Sequence, residues 1–427
     1  MLRKSVYGKH FAEEKVLGGD KEKMKNKAIA LMGAIVLCSL FLVALSATAI
    51  AAEQDDYVLD IYGNANEDDT IDMRDLTYVK LIFFGEKRET ELADAKYDSK
   101  INPLDFIQIK LIIVGKENEL TIVDSADRIV TVNKPVDRIT AFSTTYAEVL
   151  RIVDAKENVV GVSSAITKDE IFFPELSKLP SFGGLWSPDI EALIALEPDV
   201  VLTSKKWPSP AKLEDKLVGT DIIVIRMEFT DPEVLAKEIK KLGYMLNKNE
   251  EAGDFIEFYQ GYLDTIKDKI EGLSEEDKQR VYLEYSKEYQ AASEGSVLHQ
   301  LCTMAGGINI AKDLEGSYPE IDAEWLLLEN PDIMIKWCPR DDLKAKRDEL
   351  MGRSVLANLS AVKDDKVYAI AYEITTRPAG FVGVAYMAKW FYPEQFTGLD
   401  PKAIYQEYLT EFQDVDIDID VAYPAAS

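Results

Sequence analysis

Apolar residues recur along this chain with two different periods. Short runs rich in β-branched residues, typical of strands, read RIVTV, RITAF, NVVGVS, DVVLTS and DIIVIRM. Segments between them carry apolar residues at helical spacing, as in TYAEVLRIVDA and SPDIEALIALE. The same alternation restarts after residue 273 with RVYLEYS, SVLHQLCTMAG, DAEWLLLENPDIMIKW and KVYAIA. Strands that alternate with helices predict an α/β fold with mostly parallel sheets.

A long helical segment separates the two α/β regions. Helical periodicity continues from 231 to 273, and neither Gly243 nor Asn247 is expected to end it. We therefore predict two lobes, at 120–230 and 274–413, joined by one long helix at 231–273. An acidic tail follows at 414–427, and its alternating pattern predicts either a solvated segment or a frayed edge strand.

The two lobes repeat one helix–strand unit. The first copy reads PDIEALIALEPDVVL and the second reads IDAEWLLLENPDIMI. In each copy a glutamate, Glu191 or Glu324, precedes the proline of a Pro-Asp step by seven residues. Asp189 and Asp322 are predicted N-caps, which places each glutamate in the first turn of a helix. Equivalent units in two lobes indicate a two-lobed binding protein.

The N-terminal segment, 1–52, is interpreted as a targeting sequence. Residues 28–52 carry no charge, follow four closely spaced lysines and end in small residues. These features are typical of a cleaved secretory signal, and an apolar run of about 20 residues is also long enough for a membrane anchor. Both alternatives stay open, as does a start at Met1 or Met24, and both place the rest of the chain outside the cytoplasm.

A short repeat occupies 57–117. NANEDDTIDMRDLTYVKLIFFG at 64–85 recurs as DAKYDSKINPLDFIQIKLIIVG at 94–115, each a polar loop followed by an apolar helix that ends in Gly. The loops are similar to EF-hand loops, in which positions 1, 3, 5, 7, 9 and 12 supply oxygens to Ca²⁺. In the first loop the candidate ligands are Asn64, Asn66, Asp68, Thr70, Asp72 and Asp75. In the second they are Asp94, Asp98, Lys100, Asn102 and Asp105, with Thr70 and Lys100 acting through their carbonyls.

The duplicated arrangement resembles a type I dockerin, because Asp stands at position 12 and one helix follows each loop. The resemblance implies a small all-α module that binds Ca²⁺ and a cohesin-bearing partner protein. Asp69 and Ser99 replace the usual Gly of position 6, and Lys96 puts a cation at a ligand position of the second loop. Calcium is therefore expected at the first loop rather than the second, and a helical pair that folds without metal stays open. The cohesin-contacting positions would be Met73-Arg74 and Pro103-Leu104.

Composition and charge exclude several functions. The 427 residues include 49 Lys and Arg against 76 Asp and Glu, a net charge of −27. That balance excludes a chain that binds nucleic acid mainly through phosphate contacts. His10 and His299 are the only histidines, so a three-His metal site is excluded. Three cysteines are too few for a disulfide scaffold.

From about 120 to 413 the chain resembles substrate-binding proteins of ABC transporters, of the class that binds iron–siderophores, haem or cobalamin. The resemblance rests on the order and spacing of DRIVTVNKPVDRITAFSTTYAEVL, ENVVGVS, SPDIEALIALEPDVVLTS, the long helix, LCTMAGGINIAKD and EIDAEWLLLENPDIMI. It implies an extracytoplasmic receptor, without catalytic residues, that captures chelated iron or a corrinoid and delivers it to a permease. It also implies that Glu191 and Glu324 dock into arginine pockets on paired permease subunits.

The ligand is expected between the lobes, beside loops that follow strands, since ligands of α/β proteins bind at the carboxyl ends of strands. Aromatic rings pack on a macrocycle or catecholate, and arginines pair with charged ligand oxygens. Candidates at such loops are Tyr146, Trp186, Trp207, Tyr285, Tyr289, Trp337, Arg340 and Arg377. His299 is expected to be a partly buried histidine rather than a haem ligand.

Two other functions stay open. A dockerin-tethered hydrolase would need two carboxylates flanking a sugar cleft, and acidic residues are too abundant here for one pair to stand out. The sequence of the large region contains no nucleophile elbow, P-loop or zinc motif. The remaining alternative is a cell-surface interaction protein in which the dockerin-like module is the functional part.

Overall fold

A small helical module opens the part of the chain that the computed structural model describes, residues 57–425. It contains α1 (Met73–Phe83), a short 3₁₀ turn (Glu91–Ala93) and α2 (Pro103–Ile113). Each helix begins with a capping box made by loop positions 9 and 12, and each is followed by a glycine with positive φ. These are the two helices that the repeat predicts. The signal or anchor predicted at 1–52 lies outside the described residues.

A two-stranded antiparallel sheet follows the module. It consists of β1 (Glu119–Val123) and β2 (Ile129–Asn133). Ile61 of the module forms a β-bridge with Ile122, and the Val123 amide donates to the Asp60 carbonyl at 2.9 Å. Lobe 1 was expected to begin at residue 120, but this hairpin forms its own sheet and extends the module instead.

Lobe 1 is built on a four-stranded parallel sheet in the order β4-β3-β7-β8. Its strands are rich in Val and Ile, since strands of a parallel sheet are covered on both faces. In chain order its elements are β3 (Ile139–Ala141), α3 (Thr144–Ile152), β4 (Val159–Val162), a ribbon of β5 (Gly183–Gly184) and β6 (Ser187–Pro188), α4 (Ile190–Ala195), β7 (Val200–Thr203), α5 (Glu214–Leu217) and β8 (Ile223–Arg226).

Two helices, not one, connect the lobes. α6 (Leu235–Leu246) and α7 (Asn249–Ile270) pack against each other. Asn247 between them has φ 57° and ψ 39°, a left-handed conformation that stops a helix and that Asn adopts more readily than other non-Gly residues. The prediction of one continuous helix at 231–273 is therefore wrong, and α7 carries the chain from lobe 1 to lobe 2.

Lobe 2 is built on a five-stranded sheet in the order β10-β9-β11-β12-β13, parallel except for β13. In chain order its elements are β9 (Arg280–Glu284), α8 (Val297–Met304), β10 (Ile308–Asn309), α9 (Ala323–Glu329), β11 (Ile333–Cys338), α10 (Leu343–Met351), α11 (Ser360–Lys363), β12 (Val367–Ala371), α12 (Gly380–Phe391), α13 (Pro401–Glu411) and β13 (Ala422–Tyr423). β13 lies in the acidic tail predicted at 414–427. That segment therefore adds an edge strand to lobe 2, which is one of the two alternatives that its sequence predicts.

α12 lies in the interior of the molecule. All of its residues are buried, as expected for a helix that is apolar except at Lys389, whose ammonium donates to the Phe396 carbonyl at 2.9 Å. It contacts α7, α8 and α13. One hydrophobic cluster continues from the small module through both lobes and includes these helices. Among the described residues, no helix combines the length and apolar character needed to cross a bilayer.

Candidate functional site

The two lobes touch through side chains on segments that follow strands. Polar contacts that cross from lobe 1 to lobe 2 include Asp169 with Arg340 at 3.2 Å, Glu148 with Arg377 at 2.8 Å, and Asp231 with Gln300 at 3.1 Å. They hold together the edges at which the parallel strands of both sheets end. Ligands of α/β proteins bind at such edges, so the space between the lobes is the candidate site.

Lobe 2 presents a stack of four aromatic rings at this edge. Tyr285 follows β9, Trp337 lies near the end of β11, Tyr372 follows β12, and Tyr318 comes from the loop before α9. Ring centroids lie 4.0 Å apart for Tyr318 and Tyr285, 4.4 Å for Tyr285 and Trp337, and 3.9 Å for Trp337 and Tyr372. The Trp337 indole N–H donates to Thr375 Oγ1 at 2.7 Å, which fixes its ring. We call Tyr285, Tyr318, Trp337 and Tyr372 the aromatic wall.

The phenols of the aromatic wall are neutral near physiological pH. Burial raises the pKa of Tyr285 and of Tyr372 above the usual value, and raises the pKa of Tyr318 to about 12. Each therefore keeps its proton, so the wall offers apolar ring surface and hydroxyl donors but no negative charge.

Lobe 1 contributes two exposed tryptophans. Trp186 lies in the turn between β5 and β6, Trp207 lies in the loop after β7, and their ring centroids are 4.8 Å apart. The Thr203 hydroxyl donates to the Trp207 carbonyl at 2.8 Å, and Lys212 Nζ donates to the Trp186 carbonyl at 3.0 Å. These bonds hold both loops in place. Since the residues are 61% and 42% exposed, their rings are accessible to a ligand.

Both predicted cleft arginines are paired with carboxylates. Arg340 lies 3.2 Å from Asp169 and 3.5 Å from Glu373, and Arg377 lies 2.8 Å from Glu148. Burial raises the pKa of Glu148, although Arg377 faces it. The positive charge of each guanidinium is thus already compensated within the protein. Arg340 Nη1 nevertheless has no hydrogen-bond partner among residues 57–425, so this donor is free to bind a ligand oxygen.

A family model described as periplasmic binding protein matches residues 139–373, more than half of the chain. The chain belongs to the periplasmic binding protein family. The match begins at β3 and ends just after β12, so it includes the parallel strands of both lobes and leaves out only β13. Proteins of this family are the solute-binding components of ABC transporters, act outside the cytoplasm with a membrane permease, and are not enzymes.

Relatives of this binding protein differ in the ligands that their names state. The molybdate-binding protein MolA of Haemophilus influenzae is 23% identical over 317 residues, which cover 68% of this chain and 89% of that protein. A cobalamin-binding protein of Halobacterium salinarum is 22% identical over 60% of this chain and 69% of its own length.

Solved structures agree with the fold of this binding protein. MolA with bound molybdate has a TM-score of 0.60 and 20% identity, and the match covers 70% of this chain and 99% of MolA. FepB, a TroA-like periplasmic binding protein of Veillonella parvula, has a TM-score of 0.61 and 22% identity, covering 71% and 98% of the two chains. At these identities the likeness establishes the two-lobed fold and leaves the ligand open.

Two candidate ligand residues of the binding protein lie away from the aromatic wall and the tryptophan pair. Tyr146 is buried in lobe 1, where its hydroxyl donates to the Met227 carbonyl at 2.9 Å. The prediction that Tyr146 contacts the ligand is therefore corrected, because α3 directs its side chain into the core of lobe 1. Tyr289 packs under the Arg353 guanidinium, 5.0 Å from its ring centroid, and against a separate apolar cluster of lobe 2. His299 lies on α8, and burial lowers its pKa.

Sequence reasoning misses four residues of the cleft: Asp169, Tyr318, Tyr372 and Glu373. Tyr372 and Glu373 directly follow β12, so the rule that selected Tyr285 could have found them. Tyr318 and Asp169 lie in long loops, and no spacing in the sequence distinguishes them from other loop residues.

Glu191 and Glu324 are exposed at matching positions of the two lobes. Each is the second residue of a helix, α4 or α9, that begins after an aspartate N-cap. The cap carboxylates accept from the amides of Ala192 at 3.0 Å and Trp325 at 2.8 Å, as the sequence predicts. Neither glutamate forms an ion pair with any residue of 57–425.

The first EF-hand-like loop has oxygen donors of the kind that Ca²⁺ prefers. Asp75 accepts from the amides of Asn66 at 3.1 Å and Asp72 at 2.8 Å, and Asp68 accepts from the Asn66 side chain at 2.6 Å. Arg74 lies 3.0 Å from both Asp68 and Asp72. As arranged in the structure, no three Asp, Glu, His or Cys side chains between 57 and 425 converge on a metal position. Calcium would therefore have to replace Arg74 as the counter-charge of these carboxylates.

The second loop is more exposed and has one ligand position occupied by a cation. Asp94 accepts from the amides of Asp98 at 3.0 Å and Ser99 at 2.7 Å. The Lys96 ammonium lies 3.5 Å from Glu119, outside the loop. Ser99, at position 6 of this loop, has φ 67°. This left-handed backbone conformation is easier for glycine, the usual residue at position 6, than for serine.

Proposed function

We propose that this protein is the receptor of an ABC importer for a bulky metal chelate, either chelated iron as siderophore or haem, or a corrinoid. The observation that supports this ligand class is the aromatic lining of the cleft, with the aromatic wall on lobe 2 and the pair Trp186 and Trp207 on lobe 1. Aromatic rings bury large areas and stack on conjugated ligands. A bare oxyanion such as molybdate is held mainly by donors and positive charge, and here Arg340 and Arg377 are already paired.

Native mass spectrometry of the purified protein tests the ligand class. The protein is mixed in turn with a ferric tris-catecholate, haemin, cyanocobalamin and molybdate. We expect a one-to-one adduct with one of the three chelates and none with molybdate. An adduct with molybdate alone would keep the receptor function but reject the chelate.

The aromatic wall is tested by substitution at its centre. Trp337→Ala should weaken binding of the chelate that forms the adduct by tenfold or more, because it removes the ring between Tyr285 and Tyr372. Trp337→Phe should retain most of the affinity. Tyr97→Ala removes a part-exposed ring of the small module and serves as the control. Equal affinities of Trp337→Ala and Tyr97→Ala in fluorescence titrations would show that the wall does not bind the ligand.

Delivery to the permease is proposed to use Glu191 and Glu324. Their exposure and their matching positions on the two lobes support this role, since an unpaired carboxylate on each lobe suits two similar basic partners. Glu191→Gln combined with Glu324→Gln should lower uptake of the chelate by cells while its affinity for the purified protein stays constant. Glu86→Gln, at an exposed site of the small module, is the control. Normal uptake by the double variant would reject this role.

We also propose that the first loop binds Ca²⁺ through Asn64, Asn66, Asp68, Asp72, Asp75 and the carbonyl of Thr70. Six oxygen donors match the preference of this ion. Calorimetric titration should give one site, and Arg74→Gln should tighten it because a competing cation is removed. The site would be rejected if neither the unchanged protein nor Arg74→Gln bound Ca²⁺. Binding at the second loop stays a prediction with less support, because Lys96 occupies a ligand position.

A second candidate function, a cell-surface interaction protein, is favoured by the outer face of the small module. Exposed apolar side chains lie on both helices or directly after them: Met73, Phe83, Phe84, Leu104, Ile107 and Val114. A cohesin-type partner would cover this face. Surface plasmon resonance with a purified cohesin, with and without Ca²⁺, tests the proposal, and Leu104→Asp should abolish any binding. A chain that binds a chelate and no cohesin is a receptor only.

A further inference from the structure

Helix α2 of the small module is apolar on two faces, although the fold covers only one of them. Ile109 and Ile112 are buried in the apolar core. On the other side, Leu104 and Ile107, and Val114 directly after the helix, are each more than half exposed. Residues that are three and seven positions apart lie on one face of a helix. We call Leu104, Ile107 and Val114 the α2 stripe.

The charged side chains that reach the surface on this segment are basic. Lys110, one turn after Ile107, and Lys116 are exposed, whereas Asp105 and Glu117 are buried. The segment from 103 to 117 therefore exposes lysines and no carboxylate, in a chain whose net charge is −27. Apolar side chains flanked by lysines are suited to the headgroup region of a lipid bilayer, where the rings of phosphate groups attract the ammonium groups.

The sequence places the α2 stripe within reach of a bilayer. Only the four residues 53–56 separate the uncharged run at 28–52 from Tyr57, where the described chain begins. Four extended residues span at most about 14 Å. The chain then packs against the buried side of α2, where a Cβ added to Gly63 would lie 2.9 Å from Ile112 Cδ1. A run that stayed in the membrane would therefore keep α2 close to the bilayer surface.

We propose that the run at 28–52 stays in the membrane as an anchor and that the α2 stripe rests among the lipid headgroups of the same bilayer. Three part-exposed apolar side chains bind lipid weakly by themselves, but a short tether makes this contact intramolecular, at high effective concentration. A second copy of this chain fits the stripe less well. A symmetric contact would bring the lysines of two copies together, and this segment exposes no carboxylate to pair with them.

The lipid contact would fix the orientation of the receptor as well as its distance from the membrane. The module is bonded to α6, because the Ile71 amide donates to Tyr244 and Lys240 pairs with Asp69 at 2.7 Å. A module that lies on the bilayer would therefore hold the lobes in one orientation. The inference does not rest on the ligand class. It assigns to lipid a stripe that a cohesin would cover in the second candidate function.

The anchor is tested by the intact mass of the full-length protein, produced in a bacterial host and extracted from its membranes. The mass should include residues 28–52. A membrane-free protein that lacks this run would overturn the proposal.

Fluorescence quenching tests the α2 stripe in the full-length protein, reconstituted in nanodiscs of phosphatidylcholine and phosphatidylglycerol that contain a headgroup-nitroxide lipid. Ile107→Cys is labelled with bimane in a Cys38→Ser background, since Cys302 and Cys338 are buried. Thr265→Cys, at an exposed site of helix α7, is the control. The label at 107 should be quenched by the nitroxide and should lose its quenching by aqueous iodide. The label at 265 should show the reverse.

Two other patterns would overturn the proposal. A label at 107 that iodide quenches as strongly as the label at 265 would show that the stripe faces water. A label at 107 that neither quencher reaches would show that protein, such as a second copy of this chain, covers the stripe.

A carboxylate placed in the stripe gives a second readout. With the label moved to Val114→Cys, Ile107→Glu should restore quenching by iodide, because a charge is costly among the apolar groups of the interface. Ile107→Leu should keep the label shielded, and Thr265→Glu is the matched control. Unchanged thermal unfolding of these proteins serves as the folding check. Shielding that survives Ile107→Glu would also overturn the proposal.

Discussion

Glu148 and Arg377 form a buried ion pair between residues 229 positions apart, which joins lobe 1 to lobe 2. Their side chains are 1% and 12% exposed, and the Tyr408 hydroxyl donates to the second carboxylate oxygen at 3.0 Å. Removal of one partner leaves a buried charge without compensation, which costs about 3–5 kcal/mol in comparable pairs. We expect Glu148→Gln to lower the free energy of unfolding by that amount, measured by urea denaturation.

A double-mutant cycle completes this test. Arg377→Met should cost a similar amount, and the double variant should cost less than the sum because no buried charge remains. The exposed pair Lys344 and Asp348 is the matched control, since its removal should change stability little. Strictly additive costs for Glu148 and Arg377 would show that the pair does not couple the lobes.

The sequence predicts which residues lie at the cleft, but it does not predict which side chains they contact there. The rule that ligand groups follow strands finds Tyr285 and Trp337, whose rings stack, and Trp186 and Trp207, which pair. It does not reveal the carboxylates that face the arginines, because those contacts depend on how one lobe packs on the other. It fails for Tyr146 because α3 is buried on nearly every side, so helical spacing gives no information about which residues face the cleft.

At the scale of elements, the break between α6 and α7 decides how the lobes are connected. Both helices have apolar residues at the same spacing, so periodicity shows one helix where the structure has two. The conformation of Asn247 is fixed by a tertiary contact, since its Oδ1 accepts from the buried Lys134 Nζ at 2.5 Å. By contrast, the starts of α4 and α9 are predictable because their N-cap aspartates act locally.

Substitutions at Asn247 should separate the stabilisation by the hydrogen bond from Lys134 from the cost of the left-handed backbone conformation. Asn247→Asp keeps the acceptor for Lys134 and should be the most stable variant. Asn247→Gly loses only the acceptor, whereas Asn247→Ala also places an L side chain in the left-handed region, at a further cost of about 1–2 kcal/mol. Thermal unfolding should therefore rank the variants Asp, Gly, Ala in falling stability. An alanine variant at least as stable as the glycine variant would contradict a strained helix break.

At the scale of the whole molecule, the small module is joined to the binding protein by specific contacts. The Tyr244 hydroxyl of α6 accepts from the Ile71 amide at 3.0 Å and lies 3.2 Å from Thr70 Oγ1. Lys134 forms a buried ion pair with Glu117 at the end of the module. The repeat in the sequence shows that the loop–helix unit is duplicated, but it does not show which of its surfaces are covered. That depends on α6, more than 100 residues away.

These contacts lead to an expectation for calcium. Thr70 and Ile71 occupy positions 7 and 8 of the first loop, and Asp69 beside them pairs with Lys240 of α6 at 2.7 Å. Opening the loop would therefore break contacts with the helix that precedes the link between the lobes. Calcium bound at the first loop should stabilise the whole chain and not the module alone.

Differential scanning calorimetry can measure this coupling. A ligand that binds only the folded state adds about 2.7 kcal/mol at 100 times its Kd, so Ca²⁺ should move one common transition upward by several degrees. Asp68→Asn should abolish the shift, because it removes a charged ligand. Tyr244→Phe, which deletes only the hydroxyl that joins the loop to α6, should reduce the coupling and leave calcium affinity nearly unchanged. Two transitions, of which only the smaller responds to calcium, would instead describe a module that folds independently of the receptor.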